Sequence, residues 1–245
     1  MKYTLLGIGP GLPNPTDSLS ALVVQIDRGS YLADCGEGTA AKLVKHGFSK
    51  DFLDAIVITH YHPDHVGGLF MVIQLLYLEG RTKSLNLFLP EREQEFMSIF
   101  PLMYTFEQKF SFRLNVYGME ELNDIHTNVV CYANDHLSGY QEIIERNQYG
   151  NEMKAYSLIF QEADKQLAYT SDLRTLEVLK QNFQQTDAII MDALHPSADE
   201  IINYANAYTN KLILTHGISA KLKDWLQHNE GIKAELAVED KTCEL

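Results

Sequence analysis

The sequence predicts an α/β protein, one large sandwich of strands and helices spanning residues 1–245. Three observations lead there. Short apolar, β-branched runs such as Ala55-Ile56-Val57-Ile58 recur along the chain and read as buried strands. Stretches long enough for helices, such as Leu69 to Leu78 and Ser197 to Tyr208, fall between them. An apolar share of 45% supplies a sizeable core, and no repeat, low-complexity tract or linker rich in Pro, Gly and Ser divides it.

The first expected strand is Tyr3 to Ile8. Gly9-Pro10-Gly11-Leu12-Pro13-Asn14-Pro15 must be a loop, because three prolines and two glycines break any regular pattern. Ser20 to Ile26 and Ser30 to Ala33 flank a hairpin turn at Asp27-Arg28-Gly29. Asp34-Cys35-Gly36-Glu37-Gly38-Thr39 follows, ahead of a helix from Ala40 to His46. Asp34, at a strand end, suits an acceptor for an imidazole N–H; capping of the helix is the alternative for Asp34 and Glu37.

The next strand runs into Thr59-His60-Tyr61-His62-Pro63-Asp64-His65-Val66-Gly67-Gly68. His60 and His62 are two apart, so a strand turns both imidazoles to one face, within reach of one metal ion. Pro63 stops the strand, which leaves Asp64 and His65 to point at a second ion beside the first. Gly67 and Gly68 are expected to let the backbone pass close to the cluster. Three histidines and a carboxylate within six residues suit a divalent cation such as zinc.

Leu69 to Leu78 is apolar nearly all round, which a dimer interface or a deep core helix would explain. Ser84 to Leu89 is an expected strand, and Pro90 to Phe100 a helix with Pro in its first turn. Ser111 to Tyr117, Asn128 to Ala133, Lys154 to Gln161 and Gln166 to Thr170 are further strands, the last two a hairpin. A helix is expected from Leu173 to Phe183, with Asp172 available as its cap. A buried strand, Asp187 to Asp192, precedes His195-Pro196 and the Ser197-to-Tyr208 helix. Lys211 to Gly217 is a strand with His216 near its end, then a helix, Ala220 to His228, and a strand near Ile232 to Val238. His46, His126 and His228 carry no motif and read as surface residues.

A net charge of −13 argues against a strongly attractive field for nucleic acid, a local basic patch being the alternative. Cys35, Cys131 and Cys243 are odd in number and far apart, so a disulfide framework is not expected and a reducing, cytoplasmic setting is. The N-terminus is broken too early by Gly7, Gly9 and Pro10 to be a signal peptide, and no segment is long enough to span a bilayer.

His60-Tyr61-His62-Pro63-Asp64-His65 resembles the H-x-H-x-D-H signature of the metallo-β-lactamase superfamily. Asp34 to Thr39 resembles the D-C-G-E-G-T segment of its ribonuclease Z branch, and His136-Leu137-Ser138-Gly139-Tyr140 that branch's next ligand motif. Thr170-Ser171-Asp172 resembles the strand-end aspartate that bridges two ions, and Thr215-His216-Gly217 the final ligand motif. The residues after His216 depart from ribonuclease Z, reading Ile218-Ser219-Ala220-Lys221 in place of Ser-x-Arg-Tyr.

The resemblance implies a four-layer αββα sandwich, two mixed sheets face to face with helices outside. It implies two divalent ions: one held by His60, His62 and His136, one by Asp64, His65 and His216, with Asp172 bridging. Zinc is the first expectation, manganese or iron the alternatives. Two such ions about 3.5–4 Å apart share a water and give hydroxide near neutral pH as nucleophile. Asp64 joins the catalytic set. His195 is the expected general acid for the leaving group, and Asp192 stands to orient it or share its proton, at a place where the branch has glutamate.

The expected function is a metal-dependent phosphodiesterase. The alternatives are a hydrolase of thioesters or lactones, a true tRNA 3′-processing endoribonuclease, or a metal-binding protein without catalysis. His136 and Asp172 are only 36 positions apart, and the chain between them is net acidic. It mostly fits a connection and a hairpin, not the basic arm that grips tRNA in many members of the branch; an arm inserted between His65 and His136 is the alternative. A small or single-stranded phosphodiester is the expected partner, tRNA is not, and neither is a membrane.

Overall fold

The computed structural model describes residues 1–229 and 231–245. Its strands form two sheets. The first holds β1 (Lys2–Gly7), β2 (Ala21–Ile26), β3 (Gly29–Ala33), β4 (Ala55–Val57), β5 (Leu85–Leu89) and β6 (Leu114–Gly118) in chain order. The second holds β7 (Val129–Ala133), β8 (Tyr156–Glu162), β9 (Lys165–Tyr169), β10 (Ala188–Asp192), β11 (Lys211–Thr215) and β12 (Ala234–Leu236), also in order. A final strand, β13 (Thr242–Glu244), returns to the first sheet and pairs antiparallel with β1.

The period of two along each strand builds the layers. In the first sheet Leu22, Val24, Val57 and Phe88 face the second sheet, while Val23, Ile56 and Leu87 face helices. In the second sheet Phe160, Leu167 and Ile190 meet the first sheet, and Ile159, Ala168 and Ile189 turn the other way. Three apolar layers result. The middle one joins the sheets; one outer layer packs helices Thr39–Lys45 and Leu69–Leu78, the other Glu177–Asn182 and Ala198–Ala207. This is the four-layer α/β sandwich expected from the sequence.

Both sheets turn parallel in their second stretch, from β3 to β6 and from β9 to β12. The segments leaving β3, β4, β9, β10 and β11 carry the candidate site. Ligand sites of open α/β sheets lie at such C-terminal strand ends.

Several expectations are corrected. Helix Leu69–Leu78 is not a deep core helix: Leu69, Val72, Ile73 and Leu76 are buried on one face, and Met71 and Leu78 face out. The expected helix from Pro90 is two short ones, Glu93–Met97 and Ile99–Leu102, preceded by Arg92 in the left-handed region (φ 49°). The helix after Asp172 starts only at Glu177 with Leu176 at its cap position, so Asp172 caps nothing. Asp34 and Glu37 do not cap helix Thr39–Lys45 either, because Gly38 takes that place. His126 is not a surface residue. It lies half-buried between Tyr31 Oη and Asn86 Nδ2, each 3.0 Å from a ring nitrogen, and burial lowers its pKa. His46 pairs with Asp240 at 2.8 Å; His228 is exposed as expected.

Candidate metal centre

Two loop segments lock together before any metal chemistry arises. The Cys35 amide donates to the His65 carbonyl at 2.7 Å, and the Gly68 amide donates to the Cys35 carbonyl at 2.8 Å. The approach is so close that a Cβ on Gly36 would run into the Asp64 carbonyl, and one on Gly68 into the Gly36 carbonyl. The glycines therefore serve the contact between these two loops, where the sequence suggested passage beside the cluster. Gly11, from the Pro-rich loop, lies over Asp64: a Cβ there would be 3.1 Å from Asp64 Oδ2.

Among the described residues the side chains converge in three groups, one of them Asp172, Asp192 and His195. His60, His62, His136 and Asp172 offer ligand atoms within 4.8 Å of one another, and so do Asp64, His65, Asp172 and His216. Asp172 belongs to all three. Its Oδ2 is 3.5 Å from His136 Nε2 and 3.3 Å from His216 Nε2, and its Oδ1 is 3.2 Å from His65 Nε2. His62 presents Nδ1, 3.1 Å from His136 Nε2. His60, Asp64, His65, Asp172 and His216 are buried, and His62 and His136 partly so.

The chemistry of the donor set fits divalent cations. Among the described residues, the Nε2 atoms of His60 and His65 are buried without a hydrogen-bond partner. Orphans of this kind are rare in folded proteins. Their other ring nitrogens are held from outside: His65 Nδ1 meets Asp34 Oδ2 at 2.7 Å, His60 Nδ1 meets Thr59 Oγ1 at 3.1 Å, and His216 Nδ1 meets Ser20 Oγ at 3.2 Å. With Nδ1–H committed outward, the Nε2 lone pairs are left facing the centre.

Asp34 anchors this arrangement. Its Oδ1 accepts from the Thr59 amide at 2.8 Å and its Oδ2 from the Tyr169 hydroxyl at 2.9 Å, in addition to His65. Ser171 Oγ reaches the same Oδ2 at 3.3 Å and Thr59 Oγ1 at 2.7 Å. Asp34, Ser171 and His216 all have φ in the left-handed region, at 58°, 52° and 65°. Such residues persist only where the surroundings hold them, and here they flank one cluster.

The charges follow from these contacts. Burial lowers His60 well below the ordinary imidazole value and takes His136 down to about 4, so both rings are neutral at pH 7. Burial opposes charge on His65, but Asp172 and Asp34 raise its pKa well above the ordinary value. Burial likewise opposes charge on Asp172, and His65 and His216 hold its carboxyl well below the usual range. A proton on His65 thus stands where cation charge belongs, and metal binding must displace it.

The structure brings His195 and Asp192 to the same rim. His195 Nδ1 is 2.9 Å from Asp192 Oδ2 and 3.8 Å from Asp172 Oδ2, with its side chain 35% exposed. The Asp192 hydrogen bond raises the His195 pKa. Asp192 also accepts from the amides of Leu173 at 3.0 Å and Leu194 at 2.9 Å. These contacts hold the Asp192 carboxylate in place against the His195 imidazole. Thr59, Tyr169, Ser171 and Ser20 were not singled out from the sequence. Ser and Thr at strand ends are too common to signal such a role.

The family model described as Anti-Pycsar protein Apyc1 matches residues 1–234. A ribonuclease Z of Thermoplasma volcanium is 37% identical over 122 residues, covering 49% of this chain and 39% of the relative. The match with that relative thus spans about two-fifths of its length. The human tRNase Z short form (ELAC1) superposes with a TM-score of 0.70 at 20% identity, covering 100% of this chain and 99% of that one. The metallo-beta-lactamase fold protein YhfI from Bacillus subtilis superposes at 0.72 and 17%, covering 99% and 98%. At these identities the two structures establish a shared fold.

Proposed function

The chain belongs to the Anti-Pycsar protein Apyc1 family and has the metallo-β-lactamase fold, and from that premise we propose that it is a dinuclear metal-dependent phosphodiesterase. The observation that carries this reading is the pair of His/Asp groups sharing Asp172, with orphaned, inward-facing Nε2 atoms on His60 and His65. His60, His62, His136 and Asp172 would hold one ion, and Asp64, His65, His216 and Asp172 the other. Zinc suits this mix of imidazole and carboxylate, and manganese or iron remains open to the same donors. When bound, such a pair lowers the pKa of a shared water and sets positive charge against the oxygens of a phosphoryl group.

The rest falls to the chain. Asp34 holds the His65 ring, and Thr59 the His60 ring, from the side away from the centre. Asp192 binds Nδ1 of His195 and leaves its Nε2 to deliver a proton to the leaving oxygen. The Asp172 carboxylate lies between the groups, 3.9 and 3.5 Å from Nε2 of His60 and His136 and 3.2 and 3.3 Å from Nε2 of His65 and His216.

Small or single-stranded diesters suit the site better than folded tRNA. Between His136 and Asp172 the described chain forms a short helix, Gln141–Asn147, and the β8–β9 hairpin. The net charge of −13 weakens any grip on an RNA backbone. The test is a panel of phosphodiester, thioester and lactone substrates on metal-reconstituted protein, with a precursor tRNA alongside. Turnover of a small aryl phosphodiester well above the other bonds is the expected result. A preference for thioesters or lactones contradicts the reading, and accurate 3′ cleavage of the tRNA at a rival rate contradicts the substrate size.

A further inference from the structure

Residues 237–241 form a strap that crosses from the second sheet to the first. The Ala237 amide donates to the Leu214 carbonyl of β11 and the Asp240 amide to the Leu5 carbonyl of β1, each at 2.8 Å. Two neighbouring carboxylates on the strap have different partners. Asp240 ties it to helix Thr39–Lys45 and the residue after it, meeting Lys42 Nζ at 2.7 Å and His46 Nε2 at 2.8 Å. Glu239 also pairs with Lys42, but it turns both oxygens to Ser18. Its Oε2 accepts from the Ser18 amide at 2.8 Å and its Oε1 from the Ser18 hydroxyl at 3.1 Å. Ser18 in turn closes the Pro-rich loop, because its carbonyl accepts from the amides of Ile8 at 3.0 Å and Gly9 at 2.8 Å. The Ile8 carbonyl accepts from the His216 amide at 3.0 Å, and Ser20 Oγ lies 3.2 Å from His216 Nδ1. Both polar anchors of His216 thus flank the residue that Glu239 grips. His216 depends on such anchors, because its backbone sits in the left-handed region (φ 65°), which is costly for a side chain with a Cβ.

We propose that Glu239 is a positioning residue for the His216 half of the metal centre: by holding Ser18 it keeps Ile8 and Ser20 against His216, and the Pro-rich loop, through Gly11, over Asp64. The proposal rests on the reading of the His/Asp groups as two metal sites. His216 and Asp64 belong to the same group, so the effect falls on one ion. Among the described residues no hydrogen bond joins His60, His62 or His136 to residues 8–20 or 237–241. A purely structural tie would make the two carboxylates equivalent, since each pairs with Lys42. Only Glu239 reaches Ser18, and it takes up the amide and the hydroxyl together, which fixes the rotation of that residue as well as its place.

The test needs no turnover. Zinc affinity is measured by chelator competition in two backgrounds: His62→Ala, which leaves the His216 group whole, and His216→Ala, which leaves the His60 group with its three histidines. Glu239→Gln keeps the length of the side chain and gives up its charge and one acceptor oxygen. It should weaken zinc about tenfold in the His62→Ala background, the low end of the loss expected for a partner of a ligating histidine, and leave affinity unchanged in the His216→Ala background. Asp240→Asn, which gives up ion pairs on the same strap without touching Ser18, should leave zinc affinity unchanged in both. Ser18→Ala keeps the amide bond to Glu239 and loses the hydroxyl, so it should act in the same background as Glu239→Gln and by less; it carries the test if the Glu239 variant does not fold. Equal losses in the two backgrounds, or a loss in Asp240→Asn that matches Glu239→Gln, would overturn the proposal. So would two bound zinc ions whose affinities neither Glu239→Gln nor Ser18→Ala changes, and that result leaves the metal-centre reading standing. Wild-type protein that takes up no zinc would overturn that reading, and the proposal with it.

Discussion

Replacing Asp34 with asparagine separates the support of the metal centre from the ligands themselves. Asparagine tolerates the left-handed backbone at this position (φ 58°), so the change adds no strain that alanine or leucine would add. Its side-chain oxygen can keep the 2.8 Å bond from the Thr59 amide. Its NH2 then faces the His65 Nδ1 at 2.7 Å and the Tyr169 hydroxyl at 2.9 Å, both donors to the native carboxylate. The Tyr169 hydroxyl can turn and accept; the His65 bond cannot be rebuilt without changing tautomer. One charge-assisted bond is lost, worth about 1.5–3 kcal/mol. A domain with about 5–15 kcal/mol of stability survives that. Urea unfolding in the presence of chelator should show a loss of this size. Chelator competition should show zinc affinity down about 10- to 100-fold, the usual cost of removing such a partner. The loss should be larger at the His65 group than at the His60 group, because His60 leans on Thr59 instead. Unchanged affinity at both groups in a stable Asp34→Asn protein would refute the idea that Asp34 sets the ligand geometry.

Two further outcomes follow from the same contacts. His195→Ala should lower phosphodiester turnover by roughly 10²–10⁴ with metal content intact, and by much less for an ester with a very good leaving group; equal losses for both esters would make His195 a positioning residue only. At the C-terminal strap, burial works against charge on Asp240, but hydrogen bonds from Lys42, Lys45 and His46 hold its carboxyl well below the usual range. Its folded pKa is depressed, so its contribution is present above the unfolded value of about 3.9 and fades as pH falls through the folded one. Asp240→Asn should therefore shift the urea midpoint at pH 7 and progressively less below pH 4; a gap that stays constant down to pH 2 would contradict the ion-pair account.

Much of this centre was legible in the sequence because metal ligation constrains both residue type and spacing. The spacing of His60 and His62 marked them as a pair, but the strand expected to carry them ends at Val57: both lie in the segment between that strand and the helix Pro63–Val66, so Pro63 opens a helix and strand alternation is not what turns the two rings to one centre. The layered fold was legible for a similar reason: a strand such as Leu22-Val23-Val24, apolar on both faces, has to be covered on both. What lay hidden depends on distant contacts. Tyr169 is 135 positions from Asp34, and nothing local marks it as that carboxylate's donor. His126 looked like a surface residue because its partners, Tyr31 and Asn86, come from other strands. The helix expected from Pro90 failed on its cap: Arg92 takes a left-handed backbone that no nearby sequence signal announces. The cysteine count and the acidic balance were legible but bear only on setting and partners.

The central claim is that Asp172 joins two metal sites. The direct measurement is metal content by elemental analysis, on protein purified without chelator, for wild type and for Asp172→Ala. Wild type should carry close to two divalent ions per chain, and the variant should lose most of both, because Asp172 lies in each group within 4.8 Å of the other ligand atoms. Wild-type protein with no bound metal, or an Asp172→Ala protein that keeps both ions, would contradict the account.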